Sequence, residues 1–121
     1  MTKKSNSKQY DLEDRTLEFA KNVRVFVKEL NKSIANIEDG KQVVRSSGSV
    51  GANYIEANES LSKKDFIMRI KISRKEAKES RYWLRLIDVN KNRELANKQE
   101  ILINEATELM KIFGAILQKS M

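Results

Sequence analysis

Apolar side chains recur at helical spacing along almost the whole chain. The first stripe begins at Leu12 and steps by three or four residues until shortly before the Asp39–Gly40 pair. Such steps place the side chains on one face of a helix, which predicts an amphipathic helix that buries this face. We expect the helix to run from Asp11 to Asp39–Gly40, which is the best candidate break. Residues 1–10 are polar and are expected to form a disordered tail outside the domain.

A second helix is expected from about Lys41 to Leu61, although this segment is unusually rich in small residues. The small residues are Ser46, Ser47, Gly48, Ser49, Gly51 and Ala52. Because each mid-helix Gly costs about 1 kcal/mol relative to Ala, a loop that splits the segment is an alternative. We favour a continuous helix whose small face lets another backbone approach closely.

Two capping pairs predict the starts of two further helices. Ser62 with Asp65 opens the third helix, and its core-facing stripe carries small or hydroxyl side chains at mid-helix. This favours close packing against the second helix. The third helix is expected to end near residues 90–92, and Asn97 with Glu100 is then expected to open the fourth.

Four long helices joined by short connections predict an all-α fold, an antiparallel up-down four-helix bundle over residues 11–121. The chain has 121 residues, no Pro and 4 Gly, whereas small sheet-rich domains need such turn residues at short intervals. The longest apolar run is only a few residues, so no membrane span is predicted. The first ten residues lack the apolar stretch of a secretory signal, and we expect a cytoplasmic protein.

The composition excludes several kinds of chemistry. The chain contains no His and no Cys. An imidazole base, a Ser–His pair, a thiolate nucleophile and a disulfide are therefore absent, as are metal sites built from His or Cys. A ferritin-like di-iron site fails because its Glu-x-x-His units need His. We expect no cofactor.

The positive charge is concentrated in one segment. Residues 63–93 hold 11 basic and 4 acidic side chains, which accounts for the whole net charge of +7. Five cations fall on one line at spacings of three and four, with Lys75 and Arg69 beside them. These are Lys71, Arg74, Lys78, Arg81 and Arg85. A solvated helix face usually mixes charges of both signs, whereas a row of one sign creates a local positive field.

This row predicts a nucleic-acid partner, RNA in preference to DNA, with the five cations as phosphate contacts. Tyr82 and Trp83 lie beside the row and offer surfaces on which bases stack. An alternative for the two aromatic residues is a place in the core or in a contact between subunits.

The second helix also carries a family resemblance. Residues 49–57 read Ser-Val-Gly-Ala-Asn-Tyr-Ile-Glu-Ala. This resembles the Ser-Ile-x-x-Asn-Ile-x-Glu-Gly signature of the four-helix-bundle proteins encoded in intervening sequences of bacterial 23S ribosomal RNA genes. Phe66 and the run 72–84 look like that family's third helix, so the resemblance covers most of residues 12–117.

The sequence departs from the family pattern at two points. Lys75-Glu76 stands where the family usually has Gly-Ser, and Ala57 stands where it has Gly. The resemblance implies a ring-shaped homopentamer with a basic surface. It also implies similarity to the accessory protein of diversity-generating retroelements, which binds nucleic acid and a reverse transcriptase, so a protein partner is left open. It implies no established biochemical activity.

Asn53 and Glu56 of the signature are interpreted as a structural polar pair. They lie at i,i+3 on one helix face, and a buried Glu is rarely left unpaired. We expect Glu56 to pair with an arginine such as Arg74 or Arg81, and Asn53 to bond a neighbouring helix. The pair would then fix the helix register or a subunit contact.

One pattern favours an enzyme instead. Two E-x-x-E units, Glu56 to Glu59 and Glu76 to Glu79, resemble the motif of all-α nucleotide pyrophosphohydrolases, which bind Mg²⁺ with such carboxylates. The second unit ends in Glu where that family has Asp. Acidic pairs at this spacing arise easily by chance, and neighbouring cations would compete with a metal. We therefore expect a protein without catalysis of its own.

A third alternative is a structural or protein-interaction module with no nucleic-acid ligand. Five apolar residues off the main stripes would form a face between subunits in an oligomer. These are Val25, Ile72, Trp83, Ile103 and Met110. In an assembled ring the basic row would be repeated around the surface, so that weak phosphate contacts become collectively strong.

Overall fold

The structure is a computed structural model that describes residues 8–121, with the side chains described from Leu12 onward. It contains four helices: α1 (Lys8–Lys28), α2 (Ile34–Asn58), α3 (Lys63–Leu86) and α4 (Arg93–Ser120). The predicted tail over residues 1–10 lies for its first seven residues outside the described part of the chain.

Consecutive helices pack side by side in opposite directions. Asn58 at the end of α2 donates to Glu13 at the start of α1 (2.9 Å), and Gln99 near the start of α4 donates to the Leu84 carbonyl near the end of α3 (2.8 Å). The largest fully buried side chains are Phe19, Phe26, Phe113, Ile70, Leu84 and Leu109. The predicted all-α four-helix bundle is confirmed. Within residues 8–121 no helix has the length and apolarity needed to cross a membrane.

The connection between α1 and α2 lies earlier than predicted. The first helix ends at Lys28, and Asp39–Gly40 lies inside α2, so the predicted break there is wrong. The apolar periodicity concealed the true break because it continues across the connection. Leu30 is buried in the core as the chain turns, whereas Ile34, the next apolar step, is 84% exposed.

A buried asparagine holds the true connection in place. The Ser33 hydroxyl caps α2 by accepting from the Asn36 backbone N–H at 3.1 Å. The Asn36 side chain donates to the carbonyls of Asn31 (3.0 Å) and Asp88 (2.8 Å), and accepts from the Asp88 N–H (3.0 Å). Since Asp88 follows α3, this one side chain ties together the two connections at one end of the bundle.

The small residues of α2 do not interrupt it, and they bring its neighbours close, as predicted. A Cβ on Gly51 would lie only 2.8 Å from the Thr16 hydroxyl of α1. On the side facing α3, the hydroxyls of Ser46 and Ser80 are 2.8 Å apart and both residues are fully buried. Because the side chains are small at these contacts, the helix axes can approach closely.

The starts of the last two helices differ in how well the sequence predicted them. Ser62 caps α3 by accepting from the backbone N–H three residues on at 3.1 Å, which confirms the first capping pair. The fourth helix begins earlier than expected, because Asn92 caps it by accepting from the Leu95 N–H at 3.0 Å. Asn97 and Glu100 lie inside α4, so the second predicted cap is wrong.

Candidate nucleic-acid interface

The side of α3 that faces α2 carries charges that have partners. Arg69 donates to the Asn53 side-chain oxygen of α2 at 3.0 Å. The Arg45 guanidinium of α2 lies 3.6 Å from a carboxylate oxygen of Glu76 and 3.6 Å from one of Glu79. Glu76 is only 7% exposed. At this interface one arginine therefore serves both acidic residues in the middle of α3.

The other side of α3 carries a row of cations that we call the cationic stripe. It consists of Lys71, Arg74, Lys75, Lys78, Arg81 and Arg85. Within residues 12–121, the single carboxylate at ion-pair distance from the stripe belongs to Glu76, 4.0 Å from the Lys75 ammonium. Arg81 donates to the Thr107 hydroxyl of α4 at 3.3 Å, and the other five cations are exposed. The stripe thus keeps its positive charge.

Part of the cationic stripe lines a groove between α3 and α4. Its volume is about 820 Å³, and four cations line the α3 wall, namely Lys71, Arg74, Lys75 and Lys78. Met110, Gly114 and Leu117 of α4 form the apolar opposite wall. The Arg74 guanidinium reaches across to Gly114, because its Cζ would lie at an ordinary contact distance of 3.9 Å from a Cβ at that position. The groove offers cationic groups beside an apolar surface.

The five cations of the predicted row lie on the same side of α3 in the structure, and Lys75 lies beside them. Lys75 joins the groove, because it lies one turn after Lys71 on the same helix face. Arg69, the other flanking cation, is instead bound to Asn53 at the interface with α2. The sequence spacing distinguishes Lys75 from Arg69. Lys75 comes four residues after Lys71 and shares its helix face, whereas Arg69 comes two residues before Lys71 and lies on another face.

Tyr82 lies within the cationic stripe and has a defined orientation. It is 58% exposed and follows Lys78 by one helical turn. Its ring meets that of Trp83 edge-on, with the centroids 5.1 Å apart and the planes at 75°. Trp83 is partly buried against the core, which was one of the alternatives for the aromatic residues. Its Nε1 has no hydrogen-bond partner in the described part of the chain.

Two cations elsewhere on the surface are bound closely to carboxylates of another helix. Arg15 of α1 makes a two-pronged bond to Glu105 of α4 at 2.7 and 2.9 Å, and this bond raises the pKa of the Arg15 guanidinium. Lys98 of α4 lies 2.9 Å from Glu29, which raises the pKa of the lysine ammonium. These bridges between helices contrast with the stripe, where no carboxylate of residues 12–121 is closer than 4.0 Å.

The expected polar pair on α2 is only half observed. Asn53 bonds the neighbouring helix as predicted, through Arg69. Glu56 is exposed and forms no ion pair with residues 12–121, so its expected pairing with an arginine of α3 is wrong. Tyr54 and Ala57 take the buried positions of that turn, which leaves Glu56 facing outward. The acid buried at this interface is Glu76.

The structure does not assemble the acidic residues into a metal site. Within the described residues, no group of three or more acidic side chains is close enough together to hold a metal ion. Glu76 and Glu79 face Arg45, whereas Glu56 and Glu59 are exposed on α2. The two E-x-x-E units thus do not form the four-carboxylate cluster that the enzyme alternative required.

The five apolar residues expected between subunits lie on three helices, α1, α3 and α4. Trp83, Ile103 and Met110 pack against the core of their own chain, while Val25 is half exposed on α1. Ile72 lies partly buried on α3.

Fold and composition together define the class of this protein, a small basic antiparallel four-helix bundle. The family model described as 23S rRNA-intervening sequence protein matches residues 8–115. The chain belongs to this family, which confirms the resemblance seen in residues 49–57. A comparison with curated proteins finds no match.

A solved structure supports the same assignment. The chain is 32% identical to a protein of unknown function from the S23 ribosomal protein family of Bacteroides thetaiotaomicron VPI-5482, whose crystal structure was determined at 1.70 Å. The match covers 93% of this chain and 99% of that chain, with a TM-score of 0.75. The shared bundle therefore extends over essentially the whole of both proteins.

Proposed function

We propose that this protein is a non-enzymatic, oligomeric nucleic-acid-binding bundle that holds phosphates with the cationic stripe of α3. The observation that carries the proposal is the pairing pattern around α3. Arg45 of α2 lies 3.6 Å from Glu76 and from Glu79, whereas the stripe has one carboxylate contact within residues 12–121, that of Lys75 with Glu76 at 4.0 Å. Unneutralised cations in a row attract a polyanion.

The dimensions of the stripe suit several successive phosphates. From Lys71 to Arg85 the stripe spans about 21 Å, since an α-helix rises 1.5 Å per residue. Arg74 and Arg81 lean toward α4, while Lys71, Lys78 and Arg85 are exposed. A ligand that follows the helix axis would meet these cations one after another.

Family membership supports RNA in preference to DNA and an assembly of several copies in the cytoplasm. The family is named for intervening sequences of 23S rRNA. The family resemblance in residues 49–57 implies a homopentamer, in which each subunit would contribute one stripe. Several stripes that engage one strand would convert weak phosphate contacts into tight binding.

The test compares two pairs of lysines with the same spacing. Lys71→Gln with Lys78→Gln removes two charges from the stripe, and Lys21→Gln with Lys28→Gln removes two exposed charges from α1. Binding of structured RNA is measured at several salt concentrations. We expect the stripe pair to reduce the log–log salt slope by about 1.4 to 1.8 per bound subunit, because each phosphate contact contributes about 0.7 to 0.9.

The α1 pair serves as the control and should leave the slope unchanged. Wild-type protein that fails to bind RNA or duplex DNA at low salt would contradict the proposal, since electrostatic affinity is greatest there. An equal loss from both lysine pairs would contradict the assignment of binding to α3.

A further inference from the structure

We infer that the ligand of the stripe is an unpaired strand, one base of which stacks on Tyr82 while Lys78 and Arg85 hold the neighbouring phosphates. This inference rests on the proposed nucleic-acid function and specifies its ligand. It also gives a role to an exposed aromatic ring that the fold does not use, since Tyr82 remains 58% exposed.

Tyr82 lies inside the stripe rather than at its edge. It follows Lys75 by seven residues and Lys78 by four, and it precedes Arg85 by three. At 3.6 residues per turn, these spacings put all four side chains on one face of α3. Along the helix axis, Lys78 lies about 6 Å before the ring and Arg85 about 4.5 Å after it. A base on the ring would thus have a cation on each side for its phosphates.

Trp83 holds the tyrosine ring in place. Trp83 packs against the core, and Tyr82 meets it edge-on at 5.1 Å. An edge-on neighbour leaves a face of the tyrosine ring open, and contact with a core-packed side chain restricts the motion of the ring. Less conformational entropy is then lost when a base stacks on it.

An exposed ring within a cationic row favours an unpaired strand over a duplex. In a duplex the faces of each base are covered by its neighbours, so protein aromatic rings stack on bases of single strands, loops and ends. Cations alone bind either form. The ring therefore supplies a preference that charge by itself does not.

The experiment uses three ligands of equal length, about twelve nucleotides, which is within the range that one small domain covers. They are a single-stranded RNA, the same sequence as a duplex, and a strand of the same length without bases. We expect Tyr82→Ala to weaken binding of the single strand by roughly 5- to 150-fold, the measured range for loss of one stacked base. Binding of the duplex and of the abasic strand should change less than about twofold, because neither stacks on Tyr82.

Tyr82→Phe is the matched control and should bind the single strand as the wild type does, because it keeps the ring. Trp83 adds a direct readout, since it is the one tryptophan of the chain and touches Tyr82. The single strand should quench Trp83 fluorescence, and the abasic strand should bind without quenching.

The inference and the proposed function fail in different ways. Equal binding of the single strand by wild type and Tyr82→Ala, together with a loss in the lysine pair of α3, overturns the stacked base and leaves the phosphate contacts intact. Wild-type protein that binds none of the three ligands at low salt overturns both. Thermal unfolding of each variant shows that the fold is unchanged, as expected for an exposed position.

Discussion

The two sides of α3 use charged residues in opposite ways. Toward α2, Arg69 donates to Asn53, and Glu76 and Glu79 lie beside Arg45, so each charged group has a polar or charged partner within the bundle. On the other side the cationic stripe lies beside an apolar wall of α4, and its one carboxylate contact within residues 12–121 is that of Lys75 with Glu76 at 4.0 Å. One helix thus combines a surface that stabilises the fold with a surface whose charge the fold does not need.

The contrast between the two sides of α3 shows that a count of charges along a segment hides how its acidic and basic side chains are separated in space. Residues 63–93 contain 4 acidic side chains as well as 11 basic ones, so the segment as a whole carries charges of both signs. In the folded chain Glu76 and Glu79 lie on the side of α3 that faces α2, at 3.6 Å from Arg45. The stripe is therefore more uniformly positive than its segment.

The largest effect should come from a change of size on the α2 side. Ser46→Leu places a bulky side chain where the hydroxyls of Ser46 and Ser80 lie 2.8 Å apart and fully buried. We expect the free energy of unfolding to fall by about 1–3 kcal/mol, the usual cost of overpacking. Lys71→Leu, on the exposed side, should change it by less than about 0.5 kcal/mol. Urea denaturation measures both, and equal effects would contradict the comparison.

A smaller effect is expected from the ion pairs across the same interface. Arg45→Met leaves the buried Glu76 and the half-buried Glu79 without their cation, which should cost about 1 kcal/mol of unfolding free energy. Arg85→Met is the control on the stripe, where no carboxylate of the described chain loses a partner.

A double-mutant cycle tests whether the Arg45 effect arises from the pair. The destabilisation by Arg45→Met should shrink when Glu76→Gln is also present, because the charge that needed a partner is gone. Strictly additive effects would show that Arg45 stabilises the bundle in another way.

The smallest effect should have the opposite sign. Lys78→Gln removes repulsion from cations three and four residues away, among them Arg74 and Lys75. Like charges at these spacings cost about 0.2–0.5 kcal/mol per pair, so the variant should be slightly more stable than the wild type at low salt. The gain should disappear near 1 M salt, where the screening length is about 3 Å. A destabilised variant would mean that Lys78 has a stabilising partner.

The repeating steps of three and four residues were enough to predict the bundle and the cationic row. They also predicted close packing of α2, because Gly51, Ser46 and Ser80 are small whatever surrounds them. The break between α1 and α2 was not predictable in this way. It depends on Asn36 bonding to Asp88, far along the chain, and it contains neither Gly nor Pro.

In the candidate site, too, some features follow from local sequence and others depend on how the helices pack. The stripe follows from helical spacing alone. Whether Glu56 or Glu76 is the buried acid depends on which side of each helix packs against its neighbours. The apolar wall opposite the stripe comes from α4, and the alignment of α3 with α4 along their axes decides which residues meet there. Local sequence does not encode that alignment.

The bond network of Asn36 has a consequence for protein engineering. At one end of the bundle Asn36 fastens two connections to each other, so a tag or a new terminus placed in either one would loosen both. At the opposite end the short connection between α2 and α3 exposes Leu61 almost completely, at 99%. Insertions and circular permutations are best tolerated at exposed loop tips of this kind. The position next to Leu61, before the Ser62 cap of α3, is therefore where a fluorescent reporter or an affinity tag belongs.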